Sequence, residues 1–232
     1  MLTKSPPLSS RSIAQDLTQA LGTVPIVRLN RVSSLCQQHD LYLKLESCNP
    51  GGSIKEKNAV CLVDRAESEG LLQRGGTIVE SSSGNFGIAL AMVGAVRGYQ
   101  VKIVIDAKTS TTMRRILAAH GAELIEVPLS AADSFGSMQV ARMETAQTLA
   151  NSIPGAWYPC QHLNPHNPDA HEIYTAREIE SAFNGAPDVI VIGVSTAGQI
   201  AGISRYFKQR YPTTKIIGVD RSEEHTSELQ SQ

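Results

Sequence analysis

Long apolar runs, a surplus of one charge and clustered cysteines are all missing from this chain of 232 residues. No stretch approaches the roughly 20 apolar residues that span a bilayer. Residues 1–11 are polar and hold Pro6 and Pro7, without the apolar core of a signal peptide. The 21 basic and 22 acidic side chains leave a formal charge of -1, which gives no footprint for nucleic acid or an acidic membrane surface. Four cysteines (Cys36, Cys48, Cys61 and Cys160) are scattered with no C-x-x-C pair, so neither a disulfide framework nor a structural zinc site is expected. Nucleotide signatures are missing too: neither G-x-x-x-x-G-K-[ST] nor G-x-G-x-x-G occurs. These exclusions leave a soluble, cytoplasmic protein, long enough for one large domain or two small ones.

What is present is an alternation of short apolar runs and helical periods. Strands are expected over 41–46, 77–80, 101–106, 123–127, 188–194 and 215–220, several of them β-branched with little alternation, as in strands buried on both faces. Ala59, Leu62, Val63 and Ala66 recur at helical spacing before Gly70. Helices are also expected over 88–96, 112–120, 136–151 and 169–183, the last closed by Asn184-Gly185. Strand–helix–strand alternation of this length predicts an α/β fold, two-lobed, with parallel sheets and crossover helices. Residues 151–168 carry Pro154, Pro159, Pro165 and Pro168 without periodicity. They read either as a join between lobes or as a long loop over one sheet. After the strand at 215–220 the chain turns abruptly polar, and residues 221–232 read as an artefactual tail resembling a translated sequencing adapter, with the natural C-terminal part expected to be missing.

Three loops carry the chemistry. Residues 49–55, Asn-Pro-Gly-Gly-Ser-Ile-Lys, lead into a helix with Ser53 as a fair N-cap. Lys55 then lies in the first turn, where the macrodipole disfavours a cation and lowers its pKa, as an amine nucleophile requires. From spacing alone, a surface lysine beside a turn is the simpler reading. Residues 81–87, Ser-Ser-Ser-Gly-Asn-Phe-Gly, join a strand to a helix N-terminus. They read as an anion nest or as a tight turn of small polar residues. Residues 193–202 open another helix, and Ser195, Thr196, Ala197, Gly198 and Gln199 would let backbone amides approach a phosphate.

A reactive lysine, a carboxylate nest and a phosphate cup, in this order, resemble the fold type II pyridoxal-phosphate enzymes of the cysteine synthase group, whose fold is that of the tryptophan synthase β subunit. The resemblance runs from about Gly22 to Asp220. Within the group, Lys44-Leu-Glu46, residues 49–53, 80–85 and 87–92, and Val194-Ser-Thr-Ala-Gly198 are most similar to siderophore-pathway synthases. Those enzymes make N-(2-amino-2-carboxyethyl)-L-glutamate, a 2,3-diaminopropionate precursor, from O-phospho-L-serine and L-glutamate. The resemblance implies pyridoxal 5'-phosphate joined to Lys55, which later moves the substrate α-proton. It also implies that Asn85 bonds the ring hydroxyl and that Ser195, Thr196, Ala197, Gly198 and Gln199 hold the phosphate. Ser82, Ser83 and Gln161 are implied to hold the substrate carboxylate. Ser195 and Ala197 stand where ordinary cysteine synthases carry glycines, and the serine that bonds the pyridine nitrogen falls beyond Asp220. The family division places a smaller lobe at 44–150 and part of the larger, cofactor-binding lobe at 12–43 plus 151–220, with a homodimer expected at full length.

If phosphate leaves, a cation should face it, and Arg142, Lys108 and Arg114 are the candidates. His162, His166 and His171 lie at spacings of four and five, but in Pro-rich coil without a ligand pattern; solvated or capping roles fit better than a metal. Cys160 lacks a catalytic constellation. The competing functions are O-acetylserine or O-phosphoserine sulfhydrylase (cysteine synthase), threonine dehydratase, and an inactive fragment or non-catalytic scaffold. The expected partners are small amino-acid substrates, not nucleic acid or membrane.

Overall fold

Buried β-branched runs need cover on both faces, and a computed structural model describing residues 13–34, 39–132 and 136–220 provides it for the runs at 77–81 and 101–106, whereas those at 189–193 and 215–219 leave Val189, Val191, Ile217 and Val219 exposed. In chain order the elements are β1 (Ile26–Arg28), α1 (Asn30–Ser33), β2 (Tyr42–Lys44), α2 (Lys55–Ser68), β3 (Thr77–Ser81), α3 (Asn85–Arg97), β4 (Gln100–Asp106), α4 (Thr111–Ala119), β5 (Glu123–Val127) and α5 (Gln139–Ser152). They continue with α6 (Asn167–Ala170), a π-helical turn (His171–Ala176), α7 (Arg177–Phe183), β6 (Val189–Gly193), α8 (Gly198–Arg210) and β7 (Lys215–Val219). The chain divides into two units, Met1–Asn164 and Pro165–Gln232. That boundary falls inside the Pro-rich stretch. The lobe grouping implied by the resemblance, with 12–43 joined to 151–220, differs from this division, which keeps 13–34 and 39–43 with the first unit.

In the first unit β3, β4 and β5 form a parallel sheet in that order. Ile78, Ile103 and Ile105 pack with Ala59, Leu62 and Val63 of α2, Leu90 and Ala91 of α3, and Leu117 of α4. The alternate residues Val79 and Val104 pack on the other face with Ala146 and Ala150 of α5. This two-faced burial explains why the strands read as continuous apolar runs. Gly94 lets α3 lie directly on β4, since a Cβ there would run into the Val101 side chain. In the second unit β6 and β7 are parallel, and α8 packs on the 167–176 helical run, where Gly202 leaves room for the Pro168 carbonyl.

Several expectations need correction. The run at 41–46 is strand only over Tyr42–Lys44 and pairs antiparallel with β1, a three-residue strand too short to show periodicity; the sheets are therefore not all parallel. Residues Glu46–Cys48 turn away as a 3-10 helix because Asn49 Nδ2 donates to the Glu46 carbonyl at 2.7 Å. Helix α3 starts three residues earlier than its apolar period, because Ser82 Oγ accepts the Gly87 N–H at 3.0 Å and draws the loop into the first turn. The 169–183 helix begins at Asn167 and contains the π turn, then closes at Asn184 in the left-handed region (φ 50°), as the Asn-Gly pair predicts. Residues 151–168 are not all loose coil. Trp157 pairs in parallel with Ile78, donating to the Thr77 carbonyl and accepting from the Val79 N–H, both at 2.9 Å.

Candidate active site

Lys55 opens α2, and the loop before it is fixed by carboxylates. Ser53 Oγ accepts the Lys55 N–H at 3.2 Å. Glu56 reaches back to the Ser53 N–H and the Gly51 N–H, both at 2.9 Å, which completes the reciprocal half of a capping box. Below the loop, Glu46 binds Lys44 at 2.8 Å and the fully buried Lys57 at 3.0 Å. Burial alone would raise the Glu46 carboxyl, but Lys57 and Lys44 outweigh it and hold it low. Lys57 and Lys55 thus divide their roles: one is a buried structural cation, and the other, half-buried, has no carboxylate partner among the described residues. The Lys55 pKa is lowered, as expected, although burial of the amine rather than the helix dipole is the cause.

The serine loop lies between β3 and α3. Ser82 is buried, and its Oγ is spent within the loop on the N–H groups of Gly87 and Gly84. Ser83 is half-buried, and Asn85 stands exposed at the start of α3. Gln161 is buried beside this loop, because its N–H donates to Glu80 Oε2 at 3.4 Å. The structure thus brings Ser82, Ser83 and Gln161 together through a residue that the sequence reading passed over. Glu80 is fully buried at the end of β3 and also accepts the N–H of Ser81 at 2.8 Å and that of Cys160. Burial pushes its carboxyl up to about 8, against the pull of those three N–H groups. Tyr158 lies near it, its pKa raised by burial, by Glu80 and by Cys160. A lone carboxylate inside a buried-type strand was the available signal.

Arg142 Nη1 pairs with Asp106 Oδ2 at 2.7 Å, and Arg142 Nε is buried without a hydrogen-bond partner. The other two candidate cations are committed elsewhere. Lys108 Nζ donates to the Gly136 carbonyl at 2.7 Å. Arg114 holds Glu126 at 2.6 Å and the carbonyls of Thr109 and Asp106. The His162 pKa is lowered by burial and by the charges of Arg142 and Lys55. His166 Nδ1 lies 3.1 Å from Asp169, and the buried His171 lies 3.1 Å from Thr175 Oγ1. Cys36 and residues 221–232 lie outside the described residues.

In the second unit Ala197 occupies the left-handed region (φ 59°) and turns the chain from β6 into the 13-residue α8. The first-turn N–H groups of α8 have no partner within the helix. Gly198 approaches the Asn167 side chain so closely that a Cβ would meet it at 2.8 Å. Ser195 is exposed and Thr196 and Gln199 half-buried around this helix end. The donor set fits a phosphate, and the half-buried, unpaired Lys55 amine fits an aldehyde.

A model of the pyridoxal-phosphate dependent enzymes matches residues 17–231. The chain belongs to this family. It is 38% identical over 206 residues to a cysteine synthase of Flavobacterium, covering 89% of this chain and 64% of that protein. It is 42% identical over 209 residues to cystathionine beta-synthase of Apis mellifera, covering 90% and 41%. The crystal structure of O-ureido-L-serine synthase superposes with a TM-score of 0.81 at 35% identity, covering 91% of this chain and 63% of that one. The chain therefore spans less than two thirds of the relatives it matches. The pyridoxal-phosphate family member has the fold type II α/β architecture expected from its sequence, and pyridoxal phosphate is the cofactor of its family.

Proposed function

We propose that the full-length protein is a cytoplasmic, homodimeric β-substituting transferase that joins O-phospho-L-serine to L-glutamate. Its products would be N-(2-amino-2-carboxyethyl)-L-glutamate and phosphate. The observation that carries the β-replacement reading is the half-buried Lys55 amine at the start of α2, without a carboxylate partner among the described residues and with a lowered pKa. When bound, pyridoxal phosphate supplies an electron sink for the α-carbon of an amino acid. Lys55 Nζ would carry the cofactor, then take the α-proton of the incoming substrate; its lowered pKa leaves more of the amine neutral for both tasks. Asn85 would bond the ring hydroxyl, and Ser195, Thr196, Ala197, Gly198 and Gln199 would receive the cofactor phosphate. Ser83, Gln161 and the backbone around Ser82 would hold the substrate carboxylate. Arg142 is the cation for the departing phosphate, since its buried Nε still has a donor to give. The glutamate acceptor is supported by the loop sequences, in which Ser195 and Ala197 replace glycines.

A second reading, cysteine synthase, is favoured by the curated relatives of that name. The two are separated by offering O-phosphoserine with glutamate or with sulfide and weighing the product; dominant cysteine overturns the glutamate acceptor. For the lysine, the visible absorbance of the cofactor-loaded protein should vanish in Lys55→Ala together with activity, and a variant that keeps both removes Lys55 from the mechanism.

A further inference from the structure

Glu80 has no cation partner among the described residues, although it is wholly buried. Such a carboxyl is costly to bury and is a poor choice if stability alone were at stake. What it does hold is specific. One oxygen takes the Ser81 N–H at 2.8 Å, at the root of the serine loop. The other takes the Gln161 N–H at 3.4 Å, and the carboxyl also accepts from Cys160. Cys160 sits in the left-handed region (φ 49°), a conformation that β-branched residues resist. That turn aims the consecutive 160 and 161 N–H groups at one point, as in an anion nest, with the acceptor oxygens supplied by the protein's own carboxyl. The Trp157–Ile78 pairing brings this strap alongside β3.

We propose that Glu80 is a positioning residue for substrate binding: its carboxyl clamps the serine loop to the Cys160–Gln161 turn and so sets the spacing between Ser82, Ser83 and Gln161. This role rests on the proposed use of those three residues for the substrate carboxylate. Glu80→Gln is the informative change, because an amide carries one acceptor oxygen and two N–H hydrogens, where the carboxyl carries two oxygens and at most one hydrogen. Either the Ser81 N–H or the 160–161 pair must then face an NH2 group.

The experiment titrates O-phospho-L-serine and O-acetyl-L-serine into the pyridoxal-phosphate-loaded protein while following the cofactor's visible band, alongside kcat and KM. Glu80→Gln should keep its cofactor and its band, raise KM by about tenfold, equivalent to about 1.4 kcal/mol, and change kcat far less. Cys160→Val should raise KM in the same direction, because valine resists the left-handed turn, whereas Cys160→Gly should stay near the parent value. An unchanged KM in loaded Glu80→Gln overturns the proposal, as does a loss confined to kcat. If Glu80→Gln does not fold, the Cys160 pair decides: equal KM values for valine and glycine overturn it. A parent protein whose band responds to neither serine ester refutes the site itself, and the Glu80 role with it. A responding parent with unaltered variants removes only Glu80.

Discussion

Ala197 holds a backbone conformation that costs an L-residue about 1–2 kcal/mol, at the turn that feeds α8. Ala197→Gly should therefore raise the unfolding free energy by up to about 1 kcal/mol, the relief of strain being partly offset by the entropy of a freer unfolded chain; urea titration measures it. Arg142 combines a tight pair to Asp106 with an idle buried Nε. Arg142→Lys keeps the charge but loses the planar fork. We expect its KM for O-phosphoserine to rise about tenfold with little change for O-acetylserine, because only the former brings a phosphate. Equal effects on the two donors in steady-state assays would dismiss the role.

At the scale of elements, two glycines set how closely helices approach their neighbours. A methyl at Gly94 would strike Val101, and one at Gly202 would strike the Pro168 carbonyl. Each alanine variant should lose about 1–3 kcal/mol of stability in denaturant melts, and for Gly202→Ala the neighbour is backbone, which has the least room to yield. The central strands were legible because burial on both faces leaves unbroken runs such as Ile103 to Ile105. The short β1 and the Trp157 bridge were not, since three residues or one leave no periodic trace. The π turn at His171–Ala176 has no sequence signal either. Of the site, the lysine loop could be read from its Gly-Gly-Ser spacing. Glu56 left a local trace in the Ser53-x-x-Glu56 spacing and Glu80 only a lone carboxylate in an apolar strand, whereas the contacts of Glu80 to residue 161 and of Glu46 to Lys57 join distant stretches and exist only once the chain has folded.

For the whole molecule, Glu80 links stability to pH. Its carboxyl titrates near 8 when folded, against an ordinary 4.5. The folded state therefore holds a proton that the unfolded state has released between those values, and the stability this contributes is complete below 4.5 and lost as pH rises through about 8. Tyr158 faces the same carboxyl, and the Cys160 N–H donates to it. Unfolding midpoints should fall from about pH 6 to about pH 9, and fall less in Glu80→Gln; parallel curves for the two proteins would contradict this.

The sole tryptophan of the chain is Trp157, bonded on both backbone sides to β3 and packed on the main core. It lies four residues from Gln161 and three from Cys160. The protein thus carries a native fluorophore on the strap whose seating Glu80 governs, so emission alone, without any label, can time when that strap docks during refolding and report whether it loosens as substrate arrives.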